Sequence, residues 1–591
     1  MTEICFWSSL ALLVMGACGT CWLSKLPYRS GQLLTPFKLL PVAVALSSGV
    51  LFYPVYAHQG LGIFETVMMC IHTVMRLFVL DGDFVVIQEF VPTVGKLAPA
   101  YSCLAAALYV MAPLLTFGFI LSFFKDLTAY RDLYLSVGSD LYVFSELNDR
   151  SIALAASAKR ANRRNRIVFT DVFDAEDEVS FELREKAREL KAICFKKDIA
   201  NINWAPGSRK RRVCLFTIGN NVEENLEQSV ELVNRYGKRK NFNLFVFSYN
   251  IESEMLFSSV PGDGMHIRRV DPVRVRIDHL LYEQGHRLYE NAIPGPDGER
   301  QIRAVVLGLG RHGTELLKGL AWMGQMDGYH IGIHAFDVDP RAEERFTAQC
   351  PELMDPRRNG TREPGEAHYD ITIHSGVDLE SEAFAEQFRA LGPVTFVFVS
   401  LGDDSLNIRS AVKLRQLSER KGDHPVIQTI VYTSAKKQYL ESVTDYRGHS
   451  YDIQYLGDLD ATYALETVVD SALYQEALRR HLKWGSERDF WAYEFNFHSS
   501  VAAAIHLRMR KAVGLPWASK AEEELTQQER DELEVLEHRR WNAYMRSEGY
   551  CYSGSTDKAS RNDLAKLHND LVPFLRLSEE EKRKDSRVGS K

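Results

Sequence analysis

Charged residues are sparse before Lys125, and the long stretches there are apolar, which excludes an ordinary soluble fold for that quarter of the 591-residue chain. The nine cysteines are too scattered to frame disulfides, and Cys194, Cys214, Cys350 and Cys551 stand alone, as suits a reducing cytoplasm. Cys18 and Cys21 form a CxxC inside an apolar run with no second pair and no nearby histidine, so no metal site is expected. A basic balance is also missing. The formal net charge of −7 argues against a general nucleic-acid binder, and the basic runs 159–166 and 209–212 read as solvated faces. No Tyr-x-x-x-Lys pair, ordered Ser/His/Asp set or Cys/His arrangement lies near the candidate sites, so no catalytic residue is assigned and the chain is not read as an enzyme.

Stretches 4–23, 36–57 and 100–124 are long and apolar enough to span a hydrocarbon core, which takes about 20 helical residues. Glu3 and the absence of Lys or Arg ahead of the first stretch argue against a cleaved signal peptide. The stretch 62–80 contains His72 and Arg76, which are costly at membrane depth. Counting it as a span would place Lys25, Arg29 and Lys38 outside. Three spans, with Asp81, Asp83 and Glu89 outside and everything after about residue 125 cytoplasmic, obeys the positive-inside bias. Stretch 62–80 is then a re-entrant or an interfacial helix. The segment Thr93-Val94-Gly95-Lys96 lacks the aromatic residue and second glycine of a potassium filter.

From about residue 140, short β-rich runs alternate with amphipathic helices, the mark of βαβ units and a parallel sheet. Strands are expected at 141–145, 166–170, 192–195, 213–218 and 244–248, with a helix at 151–161. The first turn, Phe144-Ser145-Glu146-Leu147-Asn148, has no glycine, so this unit reads as degenerate. The second unit is explicit. A strand at 303–307 runs into Gly308-Leu309-Gly310-Arg311-His312-Gly313 and a helix at 314–323. The first glycine allows the tight turn, the second lets phosphate approach the backbone, and the third lets helix pack on strand. After a strand at 331–336, Asp337 stands where a carboxylate can accept from ribose hydroxyls, with Asp339 as competitor. Strands at 394–399 and 426–432 complete the sheet, and Asp403 and Asp404 read as helix caps. Gly308, Gly310, Gly313 and Asp337 match the TrkA-N nucleotide motif. Two such units behind a membrane segment resemble the regulatory units of potassium channels and TrkA-type transport proteins. The resemblance implies NAD or another adenine nucleotide as ligand and a homo-oligomer, a tetramer by preference.

Further on, 465–484 and a segment from Phe490 to Leu515 read as helical. Thr526 and Glu529 form a capping box, and Gly549 supplies a stop. On the helix between them Glu537, His538, Arg540 and Trp541 cluster, Leu564, Leu567, His568 and Leu571 read as a second amphipathic stripe, and Ser578 with Glu581 repeats the cap. This ensemble, with Gly549-Tyr550 and the run from Leu567 to Phe574, resembles the bacterial ryanodine-receptor-type (RyR) domain over about the last 65 residues. The resemblance implies binding of a nucleotide-derived small molecule at Glu537, His538, Arg540 and Trp541, and a role in bacterial antiviral defence. An aromatic face beside charged groups can stack a base and hold its polar edge.

The expected fold is α/β: a helical membrane domain (1–125), a degenerate Rossmann-like domain (138–290), a TrkA-N-like Rossmann domain (300–484) and a mainly helical RyR-type domain (490–591). The expected function is a nucleotide-sensing, channel-like effector of the inner membrane. A potassium channel or transport regulator and a membrane-tethered NAD-dependent enzyme are the alternatives.

Overall fold

A computed structural model of the chain describes residues 1–23, 36–79, 81–82, 84–135, 139–172, 178–205, 211–249, 264–295, 298–355, 357 and 368–589. Packing divides it into two units, Met1–Ser136 and Val137–Lys591. Lys25 and Arg29, which carry the orientation argument, lie outside the described residues. So do Leu80, Asp83, Arg209 and Lys210.

In the first unit the apolar stretches form helices Thr2–Leu23, Pro36–Ala57 and Ala98–Leu135. Three segments, Thr2–Thr20, Leu39–Ala57 and Val85–Phe117, are long and apolar enough to cross a membrane. The first two helices approach closely because small residues meet: a Cβ on Gly16 would collide with Ala43, and Ser9 and Ser47 share a hydroxyl hydrogen bond of 2.8 Å. The stretch 62–80 yields helix Ile63–Phe78. Its 16 residues rise about 24 Å, short of a hydrocarbon core of about 30 Å. Its inward face is Thr66, Cys70, Thr73 and Leu77, with Thr73 bonded to the Tyr56 hydroxyl at 2.6 Å, while Phe64, Met68, Ile71 and Met75 face outward. Thr93 to Lys96 lie within the 3₁₀ helix Val91–Leu97, which runs into Ala98–Leu135 through Gly95 at φ 63°.

The second unit holds two parallel sheets. The first comprises β1 (Leu141–Phe144), β2 (Arg166–Phe169), β3 (Ile193–Cys194), β4 (Val213–Thr217), β5 (Phe242–Phe247) and β6 (His266–Val270), in the order β3-β2-β1-β4-β5-β6. The second follows a short antiparallel β7 (Ile293–Pro294). It comprises β8 (Arg300–Leu307), β9 (Tyr329–Asp337), β10 (Tyr369–Ser375), β11 (Phe396–Val399), β12 (Val426–Ile430) and β13 (Ile453–Leu456), in the order β10-β9-β8-β11-β12-β13. Each has the doubly wound order whose reversal point, beside the first strand, opens a crevice at the carboxyl ends of the strands. Strands covered on both faces must be apolar along their whole length, and β1, β4, β11 and β12 are buried at every residue. A row of rings, Phe169, Phe144, Phe216 and Phe245, crosses neighbouring strands of the first sheet at centroid spacings of 5.3, 4.8 and 4.9 Å.

After the second sheet the chain returns to the first. The expected helix 465–484 is two helices, Leu465–Val468 and Ala472–His481, separated where Ser471 caps the second. Tyr463, Leu465 and Val468 join the core of the first sheet, and Leu465 N–H donates to the Ser157 hydroxyl at 2.9 Å. The C-terminal segment contributes helices Glu494–Val513 and Gln527–Ser547, the latter opened by the expected Thr526–Glu529 capping box and followed by Gly549 at φ 84°. Its core is continuous with that of the second sheet: Trp322, on the helix after β8, meets the ring of Tyr544 edge-on at 6.4 Å. The stripe at Leu564, Leu567, His568 and Leu571 is not helical. Mutual backbone bonds between Asn562 and Leu567, with Lys566 at φ 50°, close a tight loop there. Leu567–His568 becomes β15, paired in parallel with β14 (Cys551–Tyr552).

Candidate functional site

The glycine loop after β8 divides its roles as backbone geometry requires. Gly308 sits at φ 85°, where a side chain would strain the turn and strike Ser400 O. A Cβ on Gly313 would collide with Gly308 O, so this position fixes how closely helix Arg311–Met323 approaches the strand. At Gly310 a Cβ would meet nothing within 4 Å. Gly310 is the N-cap of that helix and no side chain caps it, so the first-turn N–H groups face open space, a ready anion site.

That space is a crevice of about 480 Å³ at the reversal point between β8 and β11, bounded by Gly308, Gly310, Asp337 and Ser400. Asp337 takes the Leu309 N–H at 2.6 Å and the Asp339 N–H at 2.7 Å, so its carboxylate closes the glycine loop while facing the crevice. Asp339 lies outside it, paired with Arg345 and accepting from Arg341 N–H at 3.0 Å. Beyond Asp337, Val338 is 70% exposed at the crevice mouth beside Leu379, an apolar pair suited to an adenine ring. On the opposite side, burial, with Arg276 and Arg311 adding to it, lowers His312 to about 3. The imidazole is therefore neutral. Its Nε2 accepts from Arg276 at 2.5 Å, which leaves the proton on Nδ1, 3.5 Å from the Tyr432 hydroxyl. Asp403 caps the helix after β11 through Leu406 N–H, and Asp404 takes the N–H groups of Tyr432 and Thr433, so both carboxylates act in capping and turn closure.

The first sheet has the same reversal point, and an acidic side chain bridges its mouth. Glu146 accepts from the Asn220 backbone N–H at 2.8 Å and from its side-chain amide at 2.7 Å, tying the turn after β1 to the turn after β4. The two units also share a clamp that local sequence does not advertise. Asn225 accepts from Gly219 N–H and donates to Phe247 O, as Asn407 accepts from Leu401 N–H and donates to Ile430 O. Burial, reinforced by Asp198, Glu224 and Glu146, pushes Asp171 at this mouth up to about 7. A folded-state pKa raised above its unfolded value means stability is lost as pH climbs from about 4 through about 7. Asp171→Asn, which tolerates the residue's φ of 57°, should therefore stabilise the protein by about 1–2 kcal/mol at pH 8, less than full conversion because the carboxylate keeps part of its hydration, and by nothing below pH 4 in thermal melts.

The C-terminal residues expected to act together separate into two groups. His538 and Trp541 line a cavity of about 420 Å³ with Phe495, Arg561, His568 and Asp570. His538 stacks on Trp541 at 5.9 Å, and His568 meets Trp541 edge-on at 4.9 Å. Burial and Arg561 hold His568 down at about 4, and burial and Glu581 raise Asp570 to about 6, so near neutrality the cavity offers a neutral ring and a carboxylate acceptor. Glu537 and Arg540 do not reach it. Each is 1% exposed. The Glu537 carboxylate is held between Arg510 and Arg540 at 2.5 Å each. Burial pushes Glu537 up, but Arg540 and Arg510 outweigh it and keep the carboxyl below its ordinary value. The division is directional: Glu537 turns toward helix Glu494–Val513, which carries Arg510, while Trp541 turns toward β15. Phe495 and Asp570 come from segments remote in sequence, so only the folded chain brings them to Trp541.

Compared with known family models and with curated proteins, the chain matches none.

Proposed function

We propose that this is a nucleotide-responsive membrane protein. An adenine nucleotide, NAD or a relative, occupies the crevice at Gly308, Gly310 and Asp337, and a second nucleotide-derived ligand occupies the aromatic cavity at His538 and Trp541. Occupancy then biases an oligomeric membrane domain between closed and permeable states, which requires the ligand to bind the two states unequally. One observation carries the reading: the uncapped helix start at Gly310 opens onto a crevice at the reversal point of a sheet whose chain also bears three apolar helices long enough to cross a membrane. The TrkA-N and RyR-type resemblances support the same assignment, and with it a tetramer in the inner membrane, soluble unit in the cytoplasm, acting in antiviral defence. The proposal assigns no catalytic residue. Its first test is calorimetry of the detergent-solubilised chain with ADP and NAD. Saturable binding of either is expected, and the absence of binding by both contradicts the reading.

A further inference from the structure

The crevice and the aromatic cavity are joined by a short route of hydrogen bonds, backbone and ring contacts. From Asp337, which holds the glycine loop through Leu309 N–H, the chain turns at Asp339 and enters helix Ala342–Gln349. The end of that helix is fitted against the end of helix Gln527–Ser547. The Cys350 thiol donates to Ser547 O at 3.2 Å, and a Cβ on Gly549 would lie 2.7 Å from Gln349 O. Two residues on, Glu352 accepts the Tyr552 backbone N–H at 2.7 Å, and its other oxygen lies 3.5 Å from Nε of the fully buried Arg546. Tyr552 belongs to β14 and stands opposite His568 in β15. His568 in turn meets Trp541 edge-on and accepts from Asp570 N–H at 3.1 Å. The carboxylate that closes the glycine loop is therefore linked by one helix and one bracket, Glu352, to the strand pair that carries His568 into the cavity lining.

We infer that the two sites are energetically coupled through Glu352, so that a nucleotide on the glycine loop orders β14 and β15 and alters the affinity of the cavity. This rests on the nucleotide reading above. Glu352 acts as a positioning residue that touches neither ligand. Because coupling between sites is reciprocal, a ligand in the cavity strengthens or weakens nucleotide binding by the same factor. Contacts of this kind carry coupling only where both sites bias the order of the same element, here the β14/β15 pair, and that is what the exchange experiment reads.

Hydrogen exchange of the full-length protein, with and without ADP, tests the inference. In the wild type, ADP should slow exchange at the glycine loop and also, by about fivefold or more, at residues 551–553 and 567–570. Gly310→Val should abolish both responses. Glu352→Ala, which removes the acceptor of the Tyr552 N–H, should keep the first and lose the second. Protection confined to the glycine loop overturns the coupling, as does protection of 551–570 that survives in Gly310→Val, because ADP would then be binding the cavity directly. Protection nowhere, with NAD as with ADP, removes the nucleotide reading and the coupling together. The wild-type and Gly310→Val comparison decides whether the sites are coupled even where Glu352→Ala fails to fold.

Discussion

Gly310→Val should weaken adenine-nucleotide binding by about a hundredfold or more and leave the melting temperature nearly unchanged. A Cβ at Gly310 meets no protein atom within 4 Å, so the fold has room for it; the space it enters is the space phosphate needs against the helix start. Losing close approach to backbone N–H donors of a charged group forfeits roughly 1.5–3 kcal/mol per bond, which sets the size of the effect. Gly313→Ala should do the reverse. Its Cβ collides with Gly308 O, so the helix must back away from the strand, and thermal stability should fall before any question of binding arises. Calorimetry and thermal melts on the two variants separate a ligand-facing glycine from a packing glycine, and equal effects of both on the melt contradict the division.

The second large effect is expected at Glu537. Glu537→Gln leaves Arg510 and Arg540 buried without the carboxylate that neutralises them, and breaking a buried ion pair from one side costs about 3–5 kcal/mol. Chemical denaturation should show that loss. Trp541→Ala opens the cavity wall instead, so it should weaken ligand binding there and diminish the ligand-induced change in Trp fluorescence, to which Trp484 of the same cavity still contributes. A Glu537 variant as stable as the wild type contradicts the placement of this residue in the interior.

What could be read from sequence followed from how local each constraint is. The glycine loop was legible because its spacing encodes backbone geometry, and the observed roles of Gly308 and Gly313 follow from that geometry alone. The central strands were legible because burial on both faces makes them continuous apolar runs. β6, β10 and β13 escaped notice because they are edge strands with polar residues. In β6, Arg268 donates to Val468 O and Arg269 pairs with Glu494, partners hundreds of residues away. At the C-terminus, the sequence put Glu537, His538, Arg540 and Trp541 on one helix, as observed. It could not tell that they divide between a buried ion pair and a cavity, because the neighbours that decide this, Arg510 and His568, are not local. The first unit was half legible: the missing glycine was visible, but not that Glu146 reaches across to the Asn220 turn.

The central claim is that nucleotide occupancy is felt by the membrane helices, and dye release from liposomes containing the purified protein measures it directly. Dye should be released on addition of ADP, NAD or a related nucleotide, and the release should be lost in Gly310→Val. Nucleotide bound by calorimetry in the same preparation, with no change in release at any concentration, contradicts the claim.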